Sequence, residues 1–236
     1  MKRILVLFDI DGTILKLRNY RSRHIFKQLY RDVFGIEIDD GKMPDFAGNT
    51  DLRILREMAE SHGISYSEIV KDIDSIWARI LGEFRYWCNT DNLVLLPGAE
   101  MLIKSLDAVE NVSLGLLTGN FRDNAYLKLD VFKLSGYFPF GAFGDDREDR
   151  NDLPGVALGR AEEYCQYKFG IKDTIIIGDS PRDIECGKKN RIPVLSVATG
   201  GFSADLLAIE SPELLFEDFA DYHNVIGSIK NYFGIG

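Results

Sequence analysis

Two aspartates set two residues apart, Asp9 and Asp11, follow the apolar run Ile4-Leu5-Val6-Leu7-Phe8 and precede Gly12-Thr13. The run is short, aliphatic and ends abruptly, as expected for a strand buried on both faces. A side-chain period of two aims residues 9 and 11 at the same side, although Gly12 loosens the local backbone. Two carboxylates this close repel when both are ionised, and a hard divalent cation with oxygen ligands, most simply Mg2+, relieves the repulsion. The plainer alternative is a strand that ends in a solvated acidic turn. A carboxylate with a reference pKa of about 3.9 is already ionised at neutral pH, so Asp9 needs no base to act as a nucleophile.

Two further turns carry polar groups of the same kind. Thr118-Gly119-Asn120 follows the apolar stretch 112–117. A hydroxyl and free backbone N–H groups at a strand-to-helix turn can hold phosphoryl oxygens. Gly119 removes a side chain that would obstruct them, and Asn120 can donate through its amide; the tripeptide alone is also an ordinary turn. Gly178-Asp179-Ser180-Pro181-Arg182-Asp183 follows Thr174-Ile-Ile-Ile177. A strand ending at Asp179 and leading into a helix places Asp183 one turn further on, so both carboxylates can face one cation. Asp179 or Ser180 as N-cap, with Pro181 in the first turn, is an equally good local reading.

The elements that must position these groups alternate from Pro97 onward. Helix 99–109 leads to strand 112–117, helix 122–134 to a weaker strand around 138–143, and helix 153–169 to strand 174–177. A short helix over 181–190, strand 193–197, helix 203–209, strand 214–216 and helix 221–233 complete the chain. Such alternation predicts an α/β fold with a doubly wound parallel sheet, Rossmann-like, which binds ligands beyond the carboxyl ends of its strands. Each polar turn above lies at such an end. Residues 16–92 show no convincing strand; helical spacing recurs over 16–31, 51–62 and from 65 to 84. Asp51 or Thr50 is available to cap the second of these helices, and Ser65 or Ser67 the third.

Composition excludes several function classes. The 236 residues are 45% hydrophobic and carry a net charge of -9, which disfavours nonspecific contact with nucleic acid or an anionic membrane surface. Cys88, Cys165 and Cys186 are odd in number and widely spaced, which suits single buried thiols and a reduced, cytoplasmic setting. The apolar run after Lys2-Arg3 is too short for a secretory signal, and no run approaches the roughly 20 residues of a membrane span. His24, His62 and His223 have no ligand spacing, and the acidic loop 145–149 lacks the glycine and spacing of a calcium loop. Nothing in the sequence fixes an oligomeric state.

Together, Asp9-Ile10-Asp11-Gly12-Thr13, Thr118 and Gly178-Asp179 with Asp183 resemble the ordered signatures of the haloacid dehalogenase-like hydrolases. The resemblance runs from Lys2 to about Leu215. It implies a core of residues 1–15 and 93–236 with an inserted all-helical cap over 16–92. It also implies that Asp9 attacks phosphorus to give an aspartyl-phosphate, and that Asp11 protonates the leaving oxygen and then accepts a proton from water. Metal ligands would be Asp9, Asp11 or the Ile10 backbone carbonyl, and Asp179 directly, with Asp183 acting through water or by supporting a ligand from behind. Thr13 would either cap a helix or support the nucleophile. The family's dehalogenases lack an acid at the second position, so Asp11 points to phosphate chemistry. The third signature, normally a lysine, is absent; Arg150 stands nearest its place and Arg147 is the alternative, against a reading of either as solvated among Asp145, Asp146, Glu148 and Asp149. In the cap, 46–51 resembles a turn that reaches over the active site, which makes Asn49, Thr50 and Arg53 candidates for substrate contact. The basic run within 16–31 suits a solvated face. The expected activity is Mg2+-dependent hydrolysis of a small phosphorylated metabolite, closest to the phosphoglycolate phosphatase-like branch. A β-phosphoglucomutase-like mutase and a non-catalytic phospho-ligand-binding protein are the alternatives.

Overall fold

The computed structural model describes residues 2–18 and 21–235; Met1, Asn19, Tyr20 and Gly236 lie outside it, as do the side chains of Arg21 and Ser22. The side chain of Arg21, which belongs to the basic run within 16–31, is therefore not placed. The described strands are β1 (Ile4–Phe8), β2 (Leu15–Leu17), β3 (Leu93–Leu95), β4 (Val112–Leu117), β5 (Gly141–Ala142), β6 (Thr174–Gly178), β7 (Val194–Val197) and β8 (Leu214–Phe216). The helices are α1 (Arg21–Phe34), α2 (Asp51–Ser61), α3 (Tyr66–Lys71), α4 (Ile73–Trp87), α5 (Ala99–Asp107), α6 (Arg122–Asp130), α7 (Leu153–Cys165), α8 (Pro181–Asn190), α9 (Ala204–Ile209) and α10 (Tyr222–Phe233).

β1 lies inside a six-stranded parallel sheet in the order β5-β4-β1-β6-β7-β8. Its residues alternate between two cores. Ile4, Val6 and Phe8 pack with Leu102 of α5, Leu129 of α6 and Ile229 of α10, whereas Leu5 and Leu7 pack with Ala157 of α7, Ile184 of α8 and Leu207 of α9. Helices on both faces explain why the strand is apolar throughout. The chain leaves β1 toward β4 on one side and later leaves β6 toward β7 on the other. The ends of β1 and β6 therefore flank the point where the winding reverses, which is where such sheets bind ligands.

Between β2 and β3 the chain forms α1 to α4, built around Phe26, Tyr30, Leu55, Met58, Ile76 and Phe84. Phe121, at the start of α6, inserts among them edge-on to Trp77. Three features depart from the sequence reading. Leu15–Leu17 pairs antiparallel with Leu93–Leu95, so a two-stranded ribbon carries the chain out to the helices and back. A three-residue strand shows no periodicity, and its partner lies far along the chain. The weak strand expected around 138–143 shrinks to Gly141–Ala142, because Phe138 and Phe140 are buried as parts of the loop. The long helix expected from 65 breaks at Asp72, which leaves the helical region of φ/ψ and begins α4.

Candidate active site

Asp9 continues the ladder one step past β1: its N–H donates to the Ile177 carbonyl at 2.9 Å. That bond fixes its backbone against β6, whose end presents Asp179. Asp183 reaches the same place from the first turn of α8, and carboxylate oxygens of the three lie within 4.8 Å of one another. Asp9 is 4% exposed, Asp179 5% and Asp183 fully buried. Arg150 enters from the short 3-10 turn Arg150–Asp152, itself buried, with Nη2 3.3 Å from Asp9 Oδ1 and 2.5 Å from Asp183 Oδ1. The other oxygen of Asp183 accepts from the Ser180 hydroxyl at 2.6 Å and the Ser180 N–H at 3.1 Å. Asp183 thus closes a capping box with Ser180 and anchors Arg150 at once, and Ser180 rather than Asp179 is the cap.

One guanidinium faces three carboxylates in a place water scarcely reaches. Burial raises the pKa of Asp9 from 3.8 to about 6; Asp183 and Asp11 add to the rise, and Arg150 opposes it. Burial, then Asp183 and Asp9, push Asp179 well above the usual range. Burial pulls the Arg150 guanidinium down, but Asp183 and Asp9 outweigh it, so its pKa is raised and it stays charged. The surplus negative charge suits a divalent cation with oxygen ligands. The backbone is shaped for it: Gly12, at φ +87°, and Gly200 lie against Asp179, and a Cβ on either would overlap its Oδ2. Thr13 donates to Asp179 Oδ1 at 3.4 Å, so its hydroxyl supports this carboxylate rather than Asp9. A metal ion fits the cluster of Asp9, Asp179 and Asp183.

Two ligands expected from the sequence have hydrogen-bond partners in this structure. The Ile10 carbonyl accepts the N–H groups of Thr13, Ile14 and Leu15 at 2.9–3.3 Å, so it is used to close the turn. Asp11 stands apart from the three clustered carboxylates, part exposed, with Oδ2 accepting from Lys128 Nζ at 2.6 Å and Asn120 Nδ2 at 2.7 Å. Thr118 is buried and its hydroxyl accepts from Asn120 Nδ2 at 2.8 Å.

The cap turn meets this site through its backbone. A Cβ at Gly119 would collide with the Asn49 carbonyl, and the Gly119 carbonyl accepts the Asp51 N–H at 2.9 Å. The Thr50 hydroxyl caps α2 and donates to the Glu148 carbonyl at 2.6 Å; the Asn49 amide bonds to Thr50 N and Asp45 O. Arg53 pairs with Glu57 at 2.7 Å. Asn49 and Arg53 line a polar recess of about 250 Å3 with Arg150, Arg182 and Lys189, and neither Asp9 nor Asp11 lines it. The side chains expected over the nucleophile thus tie the turn to the core or face this recess. Arg147 is exposed and donates to the Asp146 carbonyl at 2.6 Å, away from Asp9. The loop acids do not solvate Arg150: Asp146 holds Arg160, Asp145 accepts the Arg122 N–H, and Asp149 caps the 3-10 turn.

Lys128 escaped sequence reasoning, and Asp51 was read only as a possible cap of α2, a place that Thr50 takes. Lys128 is 2% exposed, and Asp51 of α2 accepts the Phe121 N–H at the start of α6 at 3.0 Å. Burial raises the Asp51 pKa to about 7, against the opposing pull of Lys128 and the Phe121 N–H. The available signal was in α6, where Asn124 and Lys128 sit one turn apart beside the apolar Ala125 and Leu129, and all four are buried.

Residues 6–197 match the haloacid dehalogenase-like hydrolase family. A Caldanaerobacter subterraneus protein carried under the provisional name pyrophosphatase PpaX is 21% identical over 233 residues, covering 92% of each chain. The fold superposes on β-phosphoglucomutase from Clostridium difficile with a TM-score of 0.73 at 19% identity, over 99% of this chain and 98% of that one. A predicted phosphatase from Clostridium acetobutylicum gives a TM-score of 0.69 at 21% identity, over 97% and 100%. A predicted phosphoglycolate phosphatase from Haemophilus somnus gives 0.67 at 18%, over 96% and 99%.

Proposed function

The chain belongs to the haloacid dehalogenase-like hydrolases, enzymes of the phosphatase and phosphomutase kind, and from that premise we propose that it is a Mg2+-dependent phosphatase of small phosphorylated metabolites. The observation that carries the reading is the buried trio Asp9, Asp179 and Asp183 with Arg150 beside the nucleophile and Asp11 held two residues away by its own donors. An Asp9 oxygen attacks phosphorus, the bond from phosphorus to the ester oxygen breaks, and the proton of Asp11 passes to that oxygen. Water then attacks the aspartyl-phosphate, gives its proton to Asp11, and the bond to Asp9 breaks to release phosphate. Arg150 offsets the repulsion between Asp9 and an anionic ester, while Thr118 and the N–H groups beside Gly119 and Asn120 are placed to receive phosphoryl oxygens. Asp9 and Asp179 would hold Mg2+, which would supply charge neutralisation for the phosphoryl group.

In this reading residues 1–15 and 93–236 form the catalytic core, and 16–92 the cap that selects the ester. The branch is phosphoglycolate phosphatase-like. The setting is the cytoplasm, in keeping with three cysteines that are all free. Among the described residues no helix is long and apolar enough to cross a membrane. Phosphate release from a panel of phosphoglycolate, sugar phosphates and nucleoside monophosphates, with Mg2+ and with EDTA, tests the assignment. Metal-dependent release that Asp9→Asn abolishes is expected. Isomerisation of a hexose phosphate without release would make the protein a mutase, and no turnover on any ester would leave a phospho-ligand-binding scaffold.

A further inference from the structure

Lys128 is 2% exposed, and its ammonium has three donors whose surroundings are all accounted for. Nζ lies 2.6 Å from Asp11 Oδ2, 2.6 Å from Asn120 Oδ1, and 5.2 Å from the centre of the Phe84 ring on α4. An ammonium only donates, so it fixes which way the Asn120 amide faces: Oδ1 toward Lys128, Nδ2 toward Asp11 Oδ2 at 2.7 Å and Thr118 Oγ1 at 2.8 Å. Two donors therefore converge on Oδ2 of Asp11, whose side chain is part-exposed, and neither of them is on Oδ1. A buried lysine is costly unless it is paired, so this arrangement holds Asp11 as firmly as it holds Lys128.

We propose that Lys128 is a positioning residue for both proton transfers: with Asn120 it occupies Oδ2 of Asp11, so that Oδ1 is the atom that protonates the leaving oxygen and later takes the proton of water. The inference rests on the hydrolase reading above. It also makes the cap a participant, because Phe84 of α4 closes the third side of the ammonium and so ties the docked helices to the aim of the acid.

The test separates proton transfer from nucleophilic attack. Nitrophenolate leaves without a proton, whereas an alkyl alcohol such as glycerol does not. With p-nitrophenyl phosphate and Mg2+, Lys128→Met should release one nitrophenolate per enzyme in a burst within about threefold of the wild-type phosphorylation rate. Its steady state should then fall about 100-fold, the scale of lost general acid–base catalysis. With glycerol phosphate the burst itself should be lost. Lys128→Arg, which restores a donor to Oδ2, should recover turnover to within about tenfold. A burst that falls in proportion to the steady state would show that Lys128 merely holds the site together, and unchanged turnover on glycerol phosphate would equally overturn the proposal. If wild type is silent on both esters, the same burst comparison is made on the ester that the panel identifies. Silence on every ester of the panel removes the hydrolase reading itself, and the pairing is tested independently by melting in EDTA. Asp11→Asn should lower Tm by leaving Lys128 buried and unpaired, and adding Lys128→Met should raise it again; simple additivity of the two would refute the pairing.

Discussion

Replacing Asp9, the proposed nucleophile, with its neutral isostere should make the metal-free protein more stable while ending the proposed activity. In Asp9→Asn the carboxylate beside Asp179 and Asp183 becomes an amide of the same shape, and Arg150 keeps its bond to Asp183. Burial, chiefly, raises the Asp9 pKa from 3.8 to about 6, so the folded protein holds that proton more tightly than the unfolded chain. A group of this kind costs no stability below about pH 4, and its penalty grows as pH rises through the folded value. At pH 7.5 the penalty is about 3 kcal/mol, from about 2 pKa units at 1.36 kcal/mol each. For a chain of this size that is a Tm gain of about 6–12 °C for the variant. The assay is thermal unfolding of both proteins in EDTA from pH 4 to 8. The gap should be widest at pH 7.5 and close toward pH 4. Mg2+ should close most of the gap by stabilising wild type alone, by about 2.7 kcal/mol at a hundred times its Kd against the variant's advantage of about 3 kcal/mol. A variant less stable than wild type in EDTA at every pH, or a gap that does not narrow in acid, would refute the view that unbalanced buried charge is stored at this site.

Other outcomes follow from particular contacts. Arg150→Met leaves Asp9, Asp179 and Asp183 without a cation and should cost about 3–5 kcal/mol in urea unfolding, as expected for a broken buried pair, besides abolishing turnover; Arg150→Lys should retain part of both. Gly119→Ala puts a methyl where the Asn49 carbonyl lies, so about 1–3 kcal/mol should be lost and proteolysis within 46–51 should quicken. Asp51→Asn keeps an acceptor for the Phe121 N–H without the charge. Because burial raises the Asp51 pKa from 3.8 to about 7, wild type should lose stability as pH climbs from about 4 to 7, and the variant should lose less, read from Tm in EDTA.

What the residues determined by themselves was the frame and the polar groups at its strand ends. The apolar run 4–8, the alternation after Pro97 and the polar turns at strand ends follow from local periodicity and from parallel strands needing helices on both faces. Those local rules were enough to foresee a parallel sheet and to bring Asp9, Thr118 and Asp179 to one edge of it. The helical character of the insertion was legible for the same reason. What the tertiary structure decided was every pairing across long sequence separations. The ribbon of Leu15–Leu17 with Leu93–Leu95 is too short to announce itself, and the Ile10 carbonyl is spent on a turn that no pattern specifies. Asp183 became the anchor of Arg150, and Thr50 a strut to Glu148, because neighbours distant in sequence arrived beside them. Lys128 is the clearest case. On a sequence it is one more helical lysine, and only the convergence of β1, the Asn120 turn and α4 puts its charge out of water and onto Asp11. A charge is given meaning by what it is buried against, and burial is a property of the whole fold.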